Sequence, residues 1–457
     1  MIYPNKISLT TTEQALVGGL DNIQGIGQDY LFSVTSSFNV GDQLTMTFVD
    51  TTTGFQTQIG AGFVSGVQPV YAFTFSNKVY TLAGSSVYFS AVGRPAIWND
   101  PNAAGNGYLQ LGDYFGTTLP LLAAAPYQGK LAFFARQAVM IYTVNADPTQ
   151  WQLGQILENT GTVAPLSVQA IGDLEVMYLS DTGIRSLRAR ETTLNAYVND
   201  LGSAIDSLVT ASNGSNSTAC GVVDPATGRY WCYVNGLIYV LSYFPASKIL
   251  AWSTYLPTYQ TAMTPAVKVY TVIAGRKYYW AKGSTETSIT DGITTLTASG
   301  YITVASTSLT ITGTVDGAVY EMTPFTPQKF VVYNGKVYCR DANRFYLYGG
   351  AAGTTYDYSQ GIAATTWLDC AEPANDLKKG QCFDTAFVGN MAFSVGMDNL
   401  SGVLQQVYAG TQVTFQKGEI PCSVDGYHVK MQAVTLDNNA ATLSSMLFEY
   451  VNGNAKK

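Results

Sequence analysis

The sequence predicts an all-β chain built from short antiparallel strands. Three observations carry that expectation. Short runs of Val, Ile, Tyr, Phe and Thr alternate with polar residues and stop at Gly, Asn or Asp. Asn-Gly, the strongest short hairpin signal, joins two pairs of such runs, at Asn235-Gly236 and Asn334-Gly335. Charged residues make up 12% of the 457-residue chain, about half the usual share, while 44 Gly and 31 Tyr fill the space. This mix excludes a coiled coil and a disordered chain, both of which need more charge. No segment approaches the 18 consecutive apolar residues of a membrane-spanning helix, so no membrane insertion is expected.

Along the chain, residues 1–64 show weak alternation and read as strands that close a ring or dock on a neighbour. From residue 65 the rhythm sharpens. Val70 to Phe75, Lys78 to Leu82 and Ser86 to Ser90 form a three-strand meander around Ser76-Asn77 and Ala83-Gly84-Ser85. Lys130 to Ala135 pairs with Ala138 to Val144, and Leu174 to Leu179 with Gly183 to Leu187. Arg229 to Val234 pairs with Leu237 to Tyr243, and Val267 to Ala274 reads as the partner of Lys277 to Lys282 across Gly275-Arg276. Phe330 to Tyr333, Lys336 to Cys339 and Arg344 to Tyr348 close the series. Many short meanders in one chain must hide their edges, and a β-propeller does so by radial repetition. At about 40–50 residues per blade the chain has room for about six. A sandwich or a string of small barrels is the competing architecture. Residues 65–282 are thus expected to be the first part of the propeller and 325–457 the second part with C-terminal strands. Residues 283–324, rich in Thr, Ser and Gly, read as a small β insertion. Leu194, Tyr197, Val198, Leu201, Ile205 and Leu208 recur at helical spacing, which predicts one amphipathic helix over 193–212.

Net charge is 24 − 31 = −7. A protein that grips duplex DNA neutralises phosphates with Lys and Arg, and the basic residues here form no run. Few charges also imply that part of the surface is covered by partners. The first residues, Met1 to Lys6, lack a basic stretch followed by an apolar one, so no signal peptide is expected. Six cysteines are scattered over 200 residues with no Cys-x-x-Cys, which reads as reduced, mostly buried thiols rather than a zinc ribbon or a disulfide framework.

Candidate chemistry is thin. The single histidine, His428, lies between Val424, Tyr427 and Val429 and reads as a strand residue; a Ser-His-Asp triad would have to use it, and no Gly-x-Ser-x-Gly elbow accompanies it. A glycosidase needs two carboxylates across a cleft. Asp369 with Glu372, or Asp181 with Glu175, are arbitrary nominations among 31 acids. Ser180-Asp181-Thr182-Gly183 has the wrong spacing for a sialidase box, and Thr366-Trp367 lacks the preceding Asp. Asp437-Asn438-Asn439 reads as a turn rather than a calcium site. Neither a P-loop nor an EF-hand pattern is present. Catalytic, cofactor-binding and metal-binding residues are all expected to be absent, and no cofactor is expected.

Three phrases, taken in order, carry a resemblance. The first runs Ser86-Val87-Tyr88-Phe89-Ser90-Ala91-Val92-Gly93-Arg94-Pro95-Ala96-Ile97-Trp98-Asn99-Asp100. The second runs from Asn145-Ala146-Asp147-Pro148-Thr149-Gln150-Trp151 through Asn159-Thr160-Gly161-Thr162-Val163-Ala164-Pro165-Leu166-Ser167-Val168 and Gly172-Asp173 to Tyr178-Leu179-Ser180-Asp181-Thr182-Gly183-Ile184-Arg185. The third is Asp224-Pro225-Ala226-Thr227-Gly228-Arg229-Tyr230-Trp231, followed by Tyr239-Val240 and Ile249-Leu250-Ala251-Trp252-Ser253. Together they resemble the tail nozzle family of short-tailed bacteriophages, also called tail tubular protein B or packaged-DNA stabilisation protein, over about residues 65–260.

The resemblance implies a β-propeller protomer in a homohexameric ring below the head-to-tail adaptor. Tail fibre or needle proteins would be neighbours, and double-stranded DNA would pass through the lumen without specific binding. It implies a place in the virion tail after assembly in the host cytoplasm, and no catalytic residues to carry over. A chain of net −7 with scattered basic residues suits a wall that DNA slides past. The alternative expectation is a carbohydrate-binding or carbohydrate-cleaving β-propeller acting as a receptor-binding tail component, motivated by the aromatic content.

Overall fold

The computed structural model describes residues 69–452 apart from 95–97, 99–104, 112–118, 173–174, 190–195, 211–215, 245–248, 343, 349–359, 369–376, 398–402, 423 and 438, together with four strands between residues 4 and 60. The chain divides into two compact units. One comprises Pro4–Pro257 with Pro324–Thr355; the other comprises Met1–Tyr3, Thr258–Thr323 and Tyr356–Lys457.

The first unit begins with β1 (Pro4–Ser8) and the meander β2 (Tyr30–Val34), β3 (Thr45–Asp50) and β4 (Gln56–Gly60). Then follow β5 (Tyr71–Phe75), β6 (Lys78–Ala83), β7 (Ser86–Phe89) and β8 (Gly107–Gln110). The next sheet holds β9 (Ala123–Tyr127), β10 (Lys130–Phe134), β11 (Ala138–Thr143) and β12 (Gln152–Glu158). A third holds β13 (Gln169–Ile171), β14 (Glu175–Ser180), β15 (Gly183–Ala189) and β16 (Ala196–Asn199). A fourth holds β17 (Cys220–Val223), β18 (Tyr230–Val234), β19 (Leu237–Phe244) and β20 (Ile249–Tyr255). Each of these is a four-stranded antiparallel meander in chain order. Leading strands of successive sheets touch, β5 with β9, β9 with β13 and β13 with β17. β17 in turn touches β29 (Lys329–Tyr333) of a fifth sheet.

That fifth sheet is made by both halves of the chain. β29, β30 (Lys336–Asp341) and β31 (Arg344–Tyr348) come after a long excursion, and β1 supplies the fourth strand, Ile7 opposite Phe345. An N-terminal strand that completes the last sheet removes two free edges at once. This unit is a β-propeller. The spacing predicts about six blades; the unit holds five four-stranded sheets and the three-stranded β2–β4 meander.

Turn chemistry explains the hairpins. Asn77, Asn235 and Asn334 sit at positive φ (58°, 54° and 48°), the conformation for which Asn and Gly are favoured. Tyr80, Phe89 and Phe133 are fully buried and converge on Trp151 at ring-centroid distances of 6.1, 5.1 and 6.4 Å, joining the first two sheets. Phe134 meets Tyr178 at 5.1 Å between the second and third.

The helix expected over 193–212 is not there as a unit. Residues 196–199 are β16, paired with β15, and only Asp206–Val209 is helical; 193–195 and 211–212 lie outside the described residues. An edge strand that completes a sheet outweighs a local periodicity. Gly202 is held to Gly by packing, since a Cβ there would lie 2.5 Å from the Ile184 carbonyl.

The second unit has two parts. Thr258–Thr323 holds β21 (Thr258–Ala262), β22 (Val269–Thr271), β23 (Lys277–Ala281), β24 (Glu286–Thr290), β25 (Thr295–Leu296), β26 (Gly300–Thr303), β27 (Ser308–Gly313) and β28 (Ala318–Pro324). They form two sheets, ordered β21-β28-β23-β26 and β22-β27-β24-β25. That interleaving of eight strands is the double-sheet jelly roll. Its core is Tyr270, Val272, Tyr278, Trp280, Ile289, Ile302, Leu309, Ile311 and Val319. The insertion therefore starts at Thr258 rather than 283. The hairpin expected across Gly275-Arg276 does not form: β22 pairs with β27, and β23 with β26 and β28.

The propeller expected over 325–457 ends with β31, and the other part stands in place of the rest. β32 (Ile362–Ala364), β33 (Lys378–Met397), β34 (Leu404–Pro421), β35 (Asp425–Gly426), β36 (Val429–Thr435) and β37 (Thr442–Asn452) form a six-stranded sheet centred on the 20-residue β33. Phe383, Phe387, Phe393 and Val395 anchor its buried face. Among the described residues no helix is long and apolar enough to cross a membrane.

Candidate functional site

Three turns of the propeller meet around a cleft of about 650 Å³. The β10–β11 turn contributes Arg136 and Gln137, the segment leaving β12 contributes Glu158 to Gly161, and the β14–β15 turn contributes Ser180 to Thr182. The segment leaving β12 is locked in place. Its Thr162 amide donates to the Ala135 carbonyl at 3.0 Å, and its Thr162 hydroxyl to the Leu179 carbonyl at 2.8 Å. A Cβ on Gly161 would stand 2.1 Å from the Ala135 oxygen and 2.7 Å from that of Arg136, so only Gly lets the segment come so near. Further along, the Ser167 hydroxyl donates to the Ala164 carbonyl and accepts from the Leu179 amide.

Across the cleft Arg136 donates to both oxygens of Asp181, Nε at 3.1 Å and Nη2 at 3.2 Å. Both side chains are largely exposed, so the pair orients groups more than it stabilises the fold. Thr160 and Tyr178 share a hydrogen bond at 2.8 Å, and burial pushes the Tyr178 hydroxyl up to about 12. Beside them Arg185 is clamped by Asp200 at 2.9 Å, by Asp206 at 2.8 Å and by the Thr182 carbonyl, with 11% of its side chain exposed. The cleft thus offers fixed polar groups that can hold a polar ligand.

Other shifted groups lie where sheets meet. Lys78 is buried and donates to the Gly105 and Ala146 carbonyls at 2.6 and 2.9 Å, tying the first sheet to the turn between β11 and β12; burial holds its pKa down. Lys329 is buried beside Cys220, and burial lowers it to about 8. Burial raises the Cys220 and Cys339 thiols well above their ordinary range and the Cys232 thiol to about 12.

The residues weighed from the sequence are not brought together. Asp181 and Glu175 flank opposite ends of β14, on the order of 20 Å apart at strand rise, and each faces its own arginine, Arg136 and Arg188. Asp369 and Glu372 lie outside the described residues, as does Cys370. His428 sits half-buried in the bend before β36 rather than in a strand. Asp437 accepts from the Asn439 amide at 3.0 Å, a turn contact. None of the five described cysteines is in a disulfide, and four of them are buried. Among the described residues no group of three or more His, Cys, Asp and Glu could hold a metal ion. Sequence reasoning missed Arg136 and Glu158; the one signal for Arg136 was its place at a hairpin tip.

No family model matches the sequence, and no curated protein matches it. Among solved structures the chain is similar to the β-propeller domain of Cps50 (Swd1) from Myceliophteria thermophila, with 9% identity, a TM-score of 0.36, and coverage of 76% of this chain and 99% of that one. It is also similar to BamB from Moraxella catarrhalis, with 10% identity, a TM-score of 0.31, and coverage of 76% and 97%.

Proposed function

We propose that the chain is a structural virion protein, the tail nozzle of a short-tailed bacteriophage: a ring of six copies below the head-to-tail adaptor that retains packaged DNA and lets it pass during ejection. One observation carries the reading. Residues of the second and third phrases that resemble the nozzle family make hydrogen bonds that tie one propeller sheet to the next. Ala146 receives Lys78 between the first and second sheets. Thr162 donates to Ala135 between the second and third. Ser167 accepts from the Tyr230 hydroxyl at 2.8 Å between the third and fourth. A chain whose distinctive residues stiffen a wheel suits a conduit. Its net charge of −7 leaves few cations to trap phosphates. Electron microscopy of intact particles carrying an antibody to the chain tests this: a sixfold ring on the tail axis is expected. A protein that stays monomeric in solution and is missing from purified particles overturns it.

The alternative, a carbohydrate-binding or carbohydrate-cleaving tail component, draws on the polar cleft. Glycan-array binding that disappears in Arg136→Ala would favour it; silence of the unaltered chain on the array removes it.

A further inference from the structure

The six-stranded sheet of the second unit has two long outer edges of complementary kind. β34 is hydrogen-bonded to β33 on one side, and among the described residues no strand lies on its other side. β37 is likewise bonded to β33, on the opposite flank. Among the described residues the sheet over 382–387 is therefore β37-β33-β34, with an open edge on each side. An open edge presents a row of backbone donors and acceptors that invites another strand. Natural edges are guarded by shortness, charge or bulges. β34 is 18 residues long with one Lys and one Glu, and β37 is 11 long with one Glu; register shifts against β33 interrupt both, one of them at 413–415, and leave 408–412 and 416–421 of β34 and 445–449 of β37 in unbroken register. Apolar side chains stand in solvent along both: Val413 is 88% exposed on β34, and Leu447 and Val451 are 46% and 44% exposed on β37.

We infer that the open edge of β34 in one copy of this chain pairs with the open edge of β37 in the next, so that the sheet runs on from copy to copy. The occupant is a second copy because one sheet carries both halves of the joint. β34 and β37 each run antiparallel to β33, so they run parallel to one another. Joining them aligns every copy in the same sense. That is a head-to-tail contact, which closes into a ring when its rotation closes. A two-fold pairing of β34 with β34 would leave every β37 edge open. The inference deepens the ring reading above and rests on it only for the number of copies.

Two full-chain variants test the joint. Thr411→Lys with Val413→Lys places charge along β34, and Leu447→Lys with Val451→Lys does so along β37. Light scattering after size exclusion should show the unaltered chain as a closed oligomer and each variant at the mass of one chain. Unchanged far-UV circular dichroism and a cooperative melt in both variants confirm that they fold, the melt falling as the assembly is lost. Mixed one to one, each variant still has one clean edge, so the pair should form a dimer and nothing larger. An unaltered-chain ring that both variants preserve overturns the joint while leaving the ring reading intact. A β37 variant that stays dimeric by itself overturns it in favour of the two-fold pairing. An oligomer that depends on both edges, from a chain missing from particles, sustains the joint and sinks the nozzle reading.

Discussion

Gly161 has no backbone need for glycine; it is a matter of space. A methyl group there meets two carbonyl oxygens at 2.1 and 2.7 Å, and the nearer, that of Ala135, cannot retreat without breaking its bond from the Thr162 amide. Gly161→Ala should therefore cost about 1–3 kcal/mol, the usual penalty for overpacking, read as a shift of the urea midpoint. Gly154→Ala, whose Cβ would make an ordinary contact at 3.4 Å, is the matched control and should move it far less. Lys329 gives a pH signature. Its folded value of about 8 lies below the ordinary 10.5. Between those values the unfolded chain holds a proton that the folded chain has released, so this residue makes stability rise with pH across that window. Cys232 works the other way: its folded value of about 12 exceeds the ordinary 9.0, so its contribution is full below pH 9 and is lost as pH rises toward 12. Lys329→Met removes the first slope alone. The stability of the unaltered chain relative to this variant should climb by on the order of 3 kcal/mol from pH 8 to 10.5. A constant difference across denaturant melts at those pH values would contradict the assignment.

At the scale of elements, β1 is the strand on which most depends per residue. It pairs along its whole length with β31 and joins segments more than 330 residues apart, Pro4 to Tyr348. Deleting residues 1–8 should expose β31 as an edge, lower the melting temperature by several degrees and raise light scattering on heating; a deletion variant that melts like the full chain would show that the closure is dispensable. The β1–β31 pairing also marks what could be read in the sequence. Hairpins with Asn at their tips were legible because the turn conformation is local. Ring closure was legible only as one of two roles for the first strands, since nothing near Lys6 or Ile7 names Tyr346 or Phe345. β22 and β23 look like a hairpin around Arg276, yet burying Tyr270 and Trp280 between two facing sheets sends them to different partners. β33 was illegible because Gly380, Gly389 and Gly396 read as breaks; in the fold Gly389 sits at φ 105° where the register with β34 shifts. The cleft was hidden for the same reason. Arg136 and Asp181 are 45 residues apart on the tips of two sheets, and a tip announces a turn without announcing what faces it.

At the scale of the whole molecule, the division into two units follows from where the chain leaves and returns. Pro257 and Phe325 flank the jelly roll, and they are hydrogen-bonded, Phe325 amide to Pro257 carbonyl, at 3.0 Å. The propeller path is thus continuous without the intervening residues. Thr261 and Thr323, near the two ends of the insertion, stand with hydroxyls 3.4 Å apart, so the jelly roll also begins and ends in one place. Insertions with adjacent ends fold as separate units. Among the described residues Tyr80, Phe133 and Tyr178 belong to a propeller core cluster, and Tyr270, Trp280 and Ile311 to a cluster within the jelly roll. Calorimetry of the full chain should accordingly show two transitions rather than one. A chain of residues 1–355 with Pro257 joined directly to Pro324 should keep one of them, within about 4–8 °C of its original midpoint if the deletion costs no more than about 1 kcal/mol. Joining at that point leaves the Phe325-to-Pro257 approach as a tight turn, and a two-residue Gly linker relieves it if needed. A single transition in the full chain, together with an excised propeller that fails to fold with either join, would mean that the propeller requires the second unit, and its blades would then be one part of a larger cooperative core.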